Sequence, residues 1–290
     1  MLARSTESII QKLEKQEGEE GNLSPLLEFY LKLLRIHLEA EQHISAPKLA
    51  LTGKAIGSRI EQGQPLVTFD ELNLDWMLLR GIGEGVIGLF AGYPELFGEI
   101  PEALRKSGAD HFLTRESVKA WFEGSKLPAV TADGAGESLR GSIIHTTLSP
   151  FLTSYSKALR NIDFERWRRR YCPVCGGSPD FAFLDKESGA RWLLCSRCDT
   201  EWLFQRFECP GCGAKDQNAL AYFTDDEGLY RLYVCELCQQ YLKAIDLRQA
   251  KAEILLPLER WLTLDMDVQA RERGYSPCRG QHTVDALTLG

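Results

Sequence analysis

Residues 171–213 read YCPVCGGSPDFAFLDKESGARWLLCSRCDTEWLFQRFECPGCG, and residues 220–243 read LAYFTDDEGLYRLYVCELCQQYLK. Four Cys-x-x-Cys pairs stand in these stretches: Cys172/Cys175, Cys195/Cys198, Cys209/Cys212 and Cys235/Cys238. They alternate in type. The first and third read CPVCG and CPGCG, the second and fourth CSRCD and CELCQ. The segments between them match as well. Phe181 to Cys195 and Leu220 to Cys235 each read as a strand, an acidic turn closed by Gly189 or Gly228, an arginine, and a second strand entering a cysteine pair. One insertion after Leu229 aligns the two. The pattern is a single supersecondary unit written twice.

The spacing has a physical cause. Two cysteines three positions apart in a tight turn point both sulfurs at one centre and let backbone N–H groups bond them. Proline after the first cysteine stiffens the knuckle, and glycine after the second permits a positive φ. Two knuckles joined by a hairpin supply four thiolates to a tetrahedral ion. Nineteen residues separate Cys175 from Cys195, and 22 separate Cys212 from Cys235. The duplication favours sequential sets. Site one is Cys172, Cys175, Cys195 and Cys198; site two is Cys209, Cys212, Cys235 and Cys238. Only ten residues lie between Cys198 and Cys209, so pairing of knuckles across the repeats is also open. Each set is expected to hold one metal ion, two per chain. Four thiolates suit zinc and equally a single iron. A zinc site of this kind is closed and structural, whereas iron can also change redox state. Lys186, Arg191, Arg197 and Arg231 lie near enough in sequence to offset part of the thiolate charge.

Outward from this segment the composition changes. All nine cysteines follow residue 170, which marks the best domain boundary. The chain has 290 residues, 44% hydrophobic and 26% charged, an ordinary globular mix with length for about two domains. A net charge of −7 repels phosphate backbones and anionic lipid overall. Nucleic-acid binding would need a local basic patch. Arg166 to Arg170, RWRRR, is the one candidate, and a salt-bridged linker face is its plainer reading. The first 21 residues lack a signal-peptide core, and runs such as Val86 to Ala91 are too short to span a bilayer. The expectation is a cytoplasmic protein, not membrane-bound, whose thiols stay reduced unless a metal or a redox cycle claims them.

Helical signals dominate upstream. Ser24-Pro25 opens a helix carrying Leu26, Leu27, Tyr30, Leu33, Leu34 and Leu38 on one face. Asp70 to Leu79 reads as a second, Thr114 caps a third, and Ser149-Pro150 starts a fourth. Gly18 to Gly21 and Ala132 to Gly136 read as loops. Strands are expected at Phe181 to Leu184, Arg191 to Leu194, Trp202 to Phe207, Leu220 to Phe223, Leu232 to Val234 and Tyr241 to Ile245. Helices return at Ala250 to Leu256 and Leu264 to Arg273, with Gly274 as a stop.

Other motifs carry less. GEGVIG at Gly83 to Gly88 matches the dinucleotide glycine pattern but follows a helical run, so helix packing or a turn is its reading. The histidines (His37, His43, His111, His145, His282) have no ligand spacing to a cysteine pair. Cys278, the ninth cysteine, reads as an incidental thiol. No Ser-His-Asp order, Walker loop or HExxH is present, and nothing demands catalysis.

The cysteine region resembles the FdhE-type formate dehydrogenase accessory proteins. The resemblance rests on YCPVCGGSPD (Tyr171 to Asp180), LLCSRCDTEWLFQRFECPGCG (Leu193 to Gly213), VCELCQQYLKAID (Val234 to Asp246) and ERGY (Glu272 to Tyr275). It implies a helical N-terminal domain followed by two rubredoxin-like modules that bind iron through the eight paired cysteines. It also implies a cytoplasmic maturation factor that interacts with the formate dehydrogenase catalytic subunit and does not oxidise formate itself. The tail from Ser276 departs from the pattern.

The expected fold is therefore α+β: an all-α helical N-terminal domain (1–168), two tandem rubredoxin-like or zinc-ribbon-like metal modules (169–208 and 209–246), and C-terminal helices and tail (247–290). The expected function is maturation of a molybdenum- or tungsten-containing formate dehydrogenase through a scaffold with two four-cysteine metal sites. A Cys-x-x-Cys thiol-redox protein and a zinc-ribbon nucleic-acid binder are the rivals.

Overall fold

Ser24 caps a helix by accepting a bond from Leu27 N–H at 3.4 Å, and Pro25 occupies the first turn, where its missing N–H costs nothing. The computed structural model describes residues 6–49, 51–128 and 137–278. Helices run as α1 (Thr6–Glu20), α2 (Pro25–His43), α3 (Gly53–Gln62), α4 (Trp76–Ala91), α5 (Pro94–Phe97), α6 (Glu102–Phe112), α7 (Arg115–Glu123) and α8 (Glu137–Ala158). Strands follow as β1 (Pro179–Leu184), β2 (Arg191–Cys195), β3 (Glu201–Leu203), β4 (Leu220–Thr224), β5 (Tyr230–Cys235) and β6 (Gln240–Asp246). Then come α9 (Leu256–Leu262), α10 (Leu264–Glu272) and the two-residue β7 (Ser276–Pro277). Two compact units result: Met1–Lys48 with Phe69–Ser154, and Leu49–Thr68 with Tyr155–Gly290.

In the first unit, apolar stripes of α2 and α4 meet in an aromatic cluster. Phe29 packs edge-on against Phe90 at 5.1 Å and Tyr93 at 5.5 Å. The second helix differs from its sequence expectation. Phe69–Glu71 is a single 3-10 turn, and α4 begins only after Asp75, whose carboxylate accepts from Met77 and Leu78 N–H at 3.0 Å each. The helix then runs straight through GEGVIG. Gly83 is needed for packing, since a Cβ there would collide with Leu113 Cδ1.

Ser149-Pro150 does not start a helix. Pro150 lies inside α8, where it has no N–H for the Thr146 carbonyl. His37 on α2 supplies the missing bond, its Nε2 donating to Thr146 O at 2.8 Å. Gly18 is likewise inside a helix, α1, which gives way at Gly21 with φ +89°. The expected Ala132 to Gly136 loop lies outside the described residues.

In the second unit the two hairpin repeats share one sheet, ordered β3-β2-β1-β6-β5-β4, with β7 beside β6. Parallel pairing of β1 with β6 joins the repeats, matching Phe181 with Lys243 and Phe183 with Ile245. The ladder sorts the side chains by alternation. One face carries Phe181, Phe183, Leu194, Ile245, Leu232, Val234 and Tyr241. It is covered by Leu256 at the start of α9 and by Ala270 of α10. The C-terminal helices thus exist to bury a sheet face. The first begins at Leu256, so the expected helix over Ala250 to Leu256 is a connection instead. The third strand stops at Leu203 and does not reach Phe207.

Candidate metal centres

Three of the four knuckles are built by the same local bond. Val174 N–H points at Cys172 Sγ (3.4 Å), Arg197 N–H at Cys195 Sγ (3.4 Å) and Gly211 N–H at Cys209 Sγ (3.3 Å). The residue after the second cysteine turns to positive φ in all four knuckles: Gly176 (71°), Asp199 (55°), Gly213 (79°) and Gln239 (52°). Glycine makes this easy in knuckles one and three. In knuckle two the strained Asp199 is held by Arg260, which donates to its carboxylate at 2.8 Å.

The turns gather the sulfurs in sequential sets. Cys172, Cys175, Cys195 and Cys198 bring their Sγ atoms within 4.8 Å of one another, and so do Cys209, Cys212, Cys235 and Cys238. Contacts across the first set are 3.5–3.6 Å (Cys175 to Cys195 and Cys198; Cys172 to Cys198). Those across the second are 3.7 Å. A disulfide needs about 2.05 Å. A tetrahedron of metal–sulfur bonds of about 2.3 Å has sulfur–sulfur edges of about 3.8 Å. The donor geometry therefore fits two four-coordinate thiolate sites and no disulfide. All four positions of each set are thiols, which leaves no open position for a substrate. The geometry suits zinc and iron alike.

The two sets differ in their surroundings. All four cysteines of site one are buried. A strap from Leu49–Thr68 pairs with the first knuckle, Leu66 N–H bonding Pro173 O at 2.8 Å and Val67 N–H bonding Val174 O at 2.9 Å. Thr200 Oγ1 lies 3.1 Å from Cys198 Sγ and 2.8 Å from Ser156 Oγ. Arg260 donates to Cys195 O at 3.1 Å. Site two is open: Cys209 and Cys235 are buried, Cys238 is half-buried and Cys212 is exposed.

The thiol electrostatics follow from this packing. Burial pushes the Cys172 and Cys198 thiols well up. Hydrogen bonds from Cys172, Cys195 and Cys198 hold Cys175 well down. In site two, burial pushes Cys209 up to about 11. Burial also acts upward on Cys212, but the Ala214 N–H and neighbouring thiols outweigh it and leave that thiol lowered. Each set thus places one lowered thiol beside two raised ones. A cation resolves that conflict by accepting all four as thiolates.

The positive charges are placed unevenly. Arg197 lowers the Cys175 thiol from close by. Arg191 is buried and donates to the carbonyls of Gln205 and Glu208, in the link to the third knuckle. Arg231 instead binds Asp246 at 2.6 Å. The RWRRR cluster is largely structural. Trp167 is buried with its indole N–H on Tyr171 O (2.6 Å). Arg169 O accepts from Trp202 Nε1 at 2.9 Å, and Arg170 donates to Gly211 O at 2.5 Å. Cys278 is buried rather than dangling, its N–H bonded to Tyr241 O at 2.9 Å. Sequence spacing carried no signal for that contact. No histidine joins either cysteine group among the described residues, and no described helix is long and apolar enough to cross a membrane.

A helical unit followed by a duplicated four-thiol ribbon defines a cysteine-built metal-binding scaffold. Its central segment, residues 171–206, matches the family described as FdhE, central domain. An FdhE homologue of Aquifex aeolicus is 29% identical over 266 residues, covering 90% of this chain and 88% of that protein. An FdhE homologue of Haemophilus ducreyi is 33% identical over 138 residues, 46% of this chain and 44% of the relative. The crystal structure of the FdhE protein from Pseudomonas aeruginosa shares the fold, with a TM-score of 0.58 and 22% identity, over 96% of this chain and 93% of that one. The chain is similar to FdhE proteins along most of its length, and most closely in the cysteine motifs of its central segment.

Proposed function

We propose that this protein is an accessory factor for the maturation of a molybdenum- or tungsten-containing formate dehydrogenase. In this reading it binds the catalytic subunit of that enzyme and does not itself catalyse formate oxidation. It acts in the cytoplasm. The supporting observation is the convergence of eight cysteines into two four-thiol groups in a chain related to FdhE proteins along most of its length. Cys172, Cys175, Cys195 and Cys198 hold one ion, and Cys209, Cys212, Cys235 and Cys238 hold a second. Both ions are closed off by protein ligands, so they stiffen a recognition surface instead of activating a substrate. Zinc would serve that role alone; iron would add a redox state.

The test is in two parts. Deleting the protein from a host that makes formate dehydrogenase should leave the catalytic subunit present but inactive, and the intact chain should restore activity. The catalytic subunit should co-purify with the intact chain. Restoration by a variant lacking all eight cysteines would overturn the scaffold reading. A thiol-redox enzyme predicts instead that one Cys→Ser change abolishes function while the ions and the fold remain. A nucleic-acid binder predicts a salt-dependent shift with DNA or RNA.

A further inference from the structure

The two repeats occupy one sheet, yet they are covered unequally. On the sheet face opposite α9 and α10, the first repeat is closed: Leu193 and Trp202 pair across the ladder and are fully buried. The corresponding residues of the second repeat, two before Cys235 and four after Cys238, are Tyr233 and Leu242. Over them lies a cavity of about 340 Å³, walled by Leu220 and Tyr222 of β4, Tyr233 of β5 and the Arg206–Pro210 link. Such a volume is in the range of ligand sites.

Three features of this cavity point to an occupant. First, its lining holds Arg191, Arg206 and Arg231 in a chain of net charge −7. Arg191 Nε, Arg231 Nε and Tyr233 OH are buried and lack a hydrogen-bond partner among the described residues, although such groups are nearly always satisfied. Second, its rim exposes large apolar side chains, Phe207 at 63% and Tyr222 at 53%. A small molecule seated inside would leave that rim in water. Third, β4 ends the sheet and pairs only with β5 among the described strands. Residues 221–224 are exposed. Its free edge offers main-chain donors and acceptors to a further strand.

We propose that this face of the second repeat binds an extended, acidic segment of a partner protein, which adds as a strand beside β4 and places carboxylate and apolar side chains over the cavity. Alternation puts every second side chain of the added strand on the face that carries Tyr222 and Tyr233. Carboxylates there meet the exposed guanidinium of Arg206 and the edges of Arg191 and Arg231. Apolar residues cover Phe207 and Tyr222. This deepens the accessory-factor reading, on which it rests, by naming the surface and the chemistry of the client segment.

The probe is a labelled peptide, acetyl-Thr-Glu-Thr-Val-Thr-Glu-Thr-amide, whose two glutamates and valine share one face of a strand, with a counterpart in which both glutamates are lysine. Both are titrated by fluorescence anisotropy into the full-length, metal-loaded chain. The acidic peptide should bind at least about tenfold more tightly than the basic one. Amide exchange at residues 220–224 should slow in its presence. Arg206→Glu should reverse the preference, and Tyr222→Ser should weaken acidic-peptide binding. Both sites are exposed and outside the cysteine sets, so metal content should stay at two per chain. Equal affinity for the two peptides, no binding at all, or exchange protection away from β4 would overturn the proposal. So would complete competition by propionate at the concentration of the peptide, which would make the cavity a small-carboxylate site. A chain that binds no peptide yet still restores formate dehydrogenase activity would lose this surface and keep the maturation role. Peptide binding without restoration would do the reverse.

Discussion

Site one and site two are written in nearly the same letters, yet one is sealed and the other lies open. The difference arises outside the cysteine motifs. Site one is wrapped by the Leu66–Val67 strap, by Thr200 with Ser156, and by Arg260. Site two keeps Cys212 exposed, and its neighbouring strand β4 has an exposed face and a free edge. The same four-thiol unit therefore serves two ends. In the first repeat it is part of a core, and its loss would take that core with it. In the second it caps a surface, where loss stays local.

That contrast is broken most directly at the ligands. Cys195→Ser should remove one ion and also the packing around Trp202 and the strap, giving a chain that unfolds or aggregates. Cys212→Ser should also remove one ion but leave a cooperative thermal transition close to the parent's. Metal content and circular dichroism read both outcomes. Equal damage from the two changes would erase the distinction between the sites.

Core substitutions sharpen it. Trp202 is fully buried, so Trp202→Ala should cost about 3–5 kcal/mol. Tyr222, on the open repeat, is 53% exposed, and Tyr222→Ala should change stability by no more than about 0.5 kcal/mol. Denaturant unfolding of the metal-loaded chains measures both.

A smaller effect concerns acid. Asp246 is fully buried at the end of β6 and receives Arg231 and Arg248 at 2.6 Å each. Hydrogen bonding from Arg248 is the largest effect on its carboxyl, which is held below the ordinary value of 3.8. A depressed carboxylate pKa means that the folded state binds its proton more weakly than the unfolded chain does. Its contribution is then complete above 3.8 and is lost as the pH falls below that value. The stability difference between the parent and Asp246→Asn, followed by urea denaturation, should narrow over that range. A difference that stays constant with pH would remove the ion pair from the account.

Much of this architecture was legible from residue order because the cysteine knuckle is a local structure. Its spacing, its turn and its hairpin are fixed within about 30 residues, so the repeat favoured the sequential sulfur sets while counting alone left pairing across the repeats open. What escaped depends on distant chain. The β1–β6 pairing that fuses the repeats joins residues about 60 apart, and periodicity contains no register for a parallel partner. The strap that seals the first knuckle comes from residues 66 and 67, more than 100 positions upstream. Pro150 signals a helix start to any local reading. It stands mid-helix because His37, far off in sequence, satisfies the carbonyl that proline leaves bare. Cys278 appeared incidental because nothing in its flanks reveals the hydrogen bond to Tyr241.

Eight sulfurs gathered as two four-thiol sets, one enclosed and one accessible, should hold two ions of unequal lability. Anaerobically purified protein, assayed for metal and then mixed with an excess of a chelator that changes colour on binding the released ion, tests this directly. Two ions per chain should be found, released in two phases of equal amplitude. The fast phase should coincide with exposure of the four site-two thiols and the slow phase with loss of folded structure. A folded chain with no bound ion and eight freely titrating thiols, or a single release phase for both ions, would contradict it.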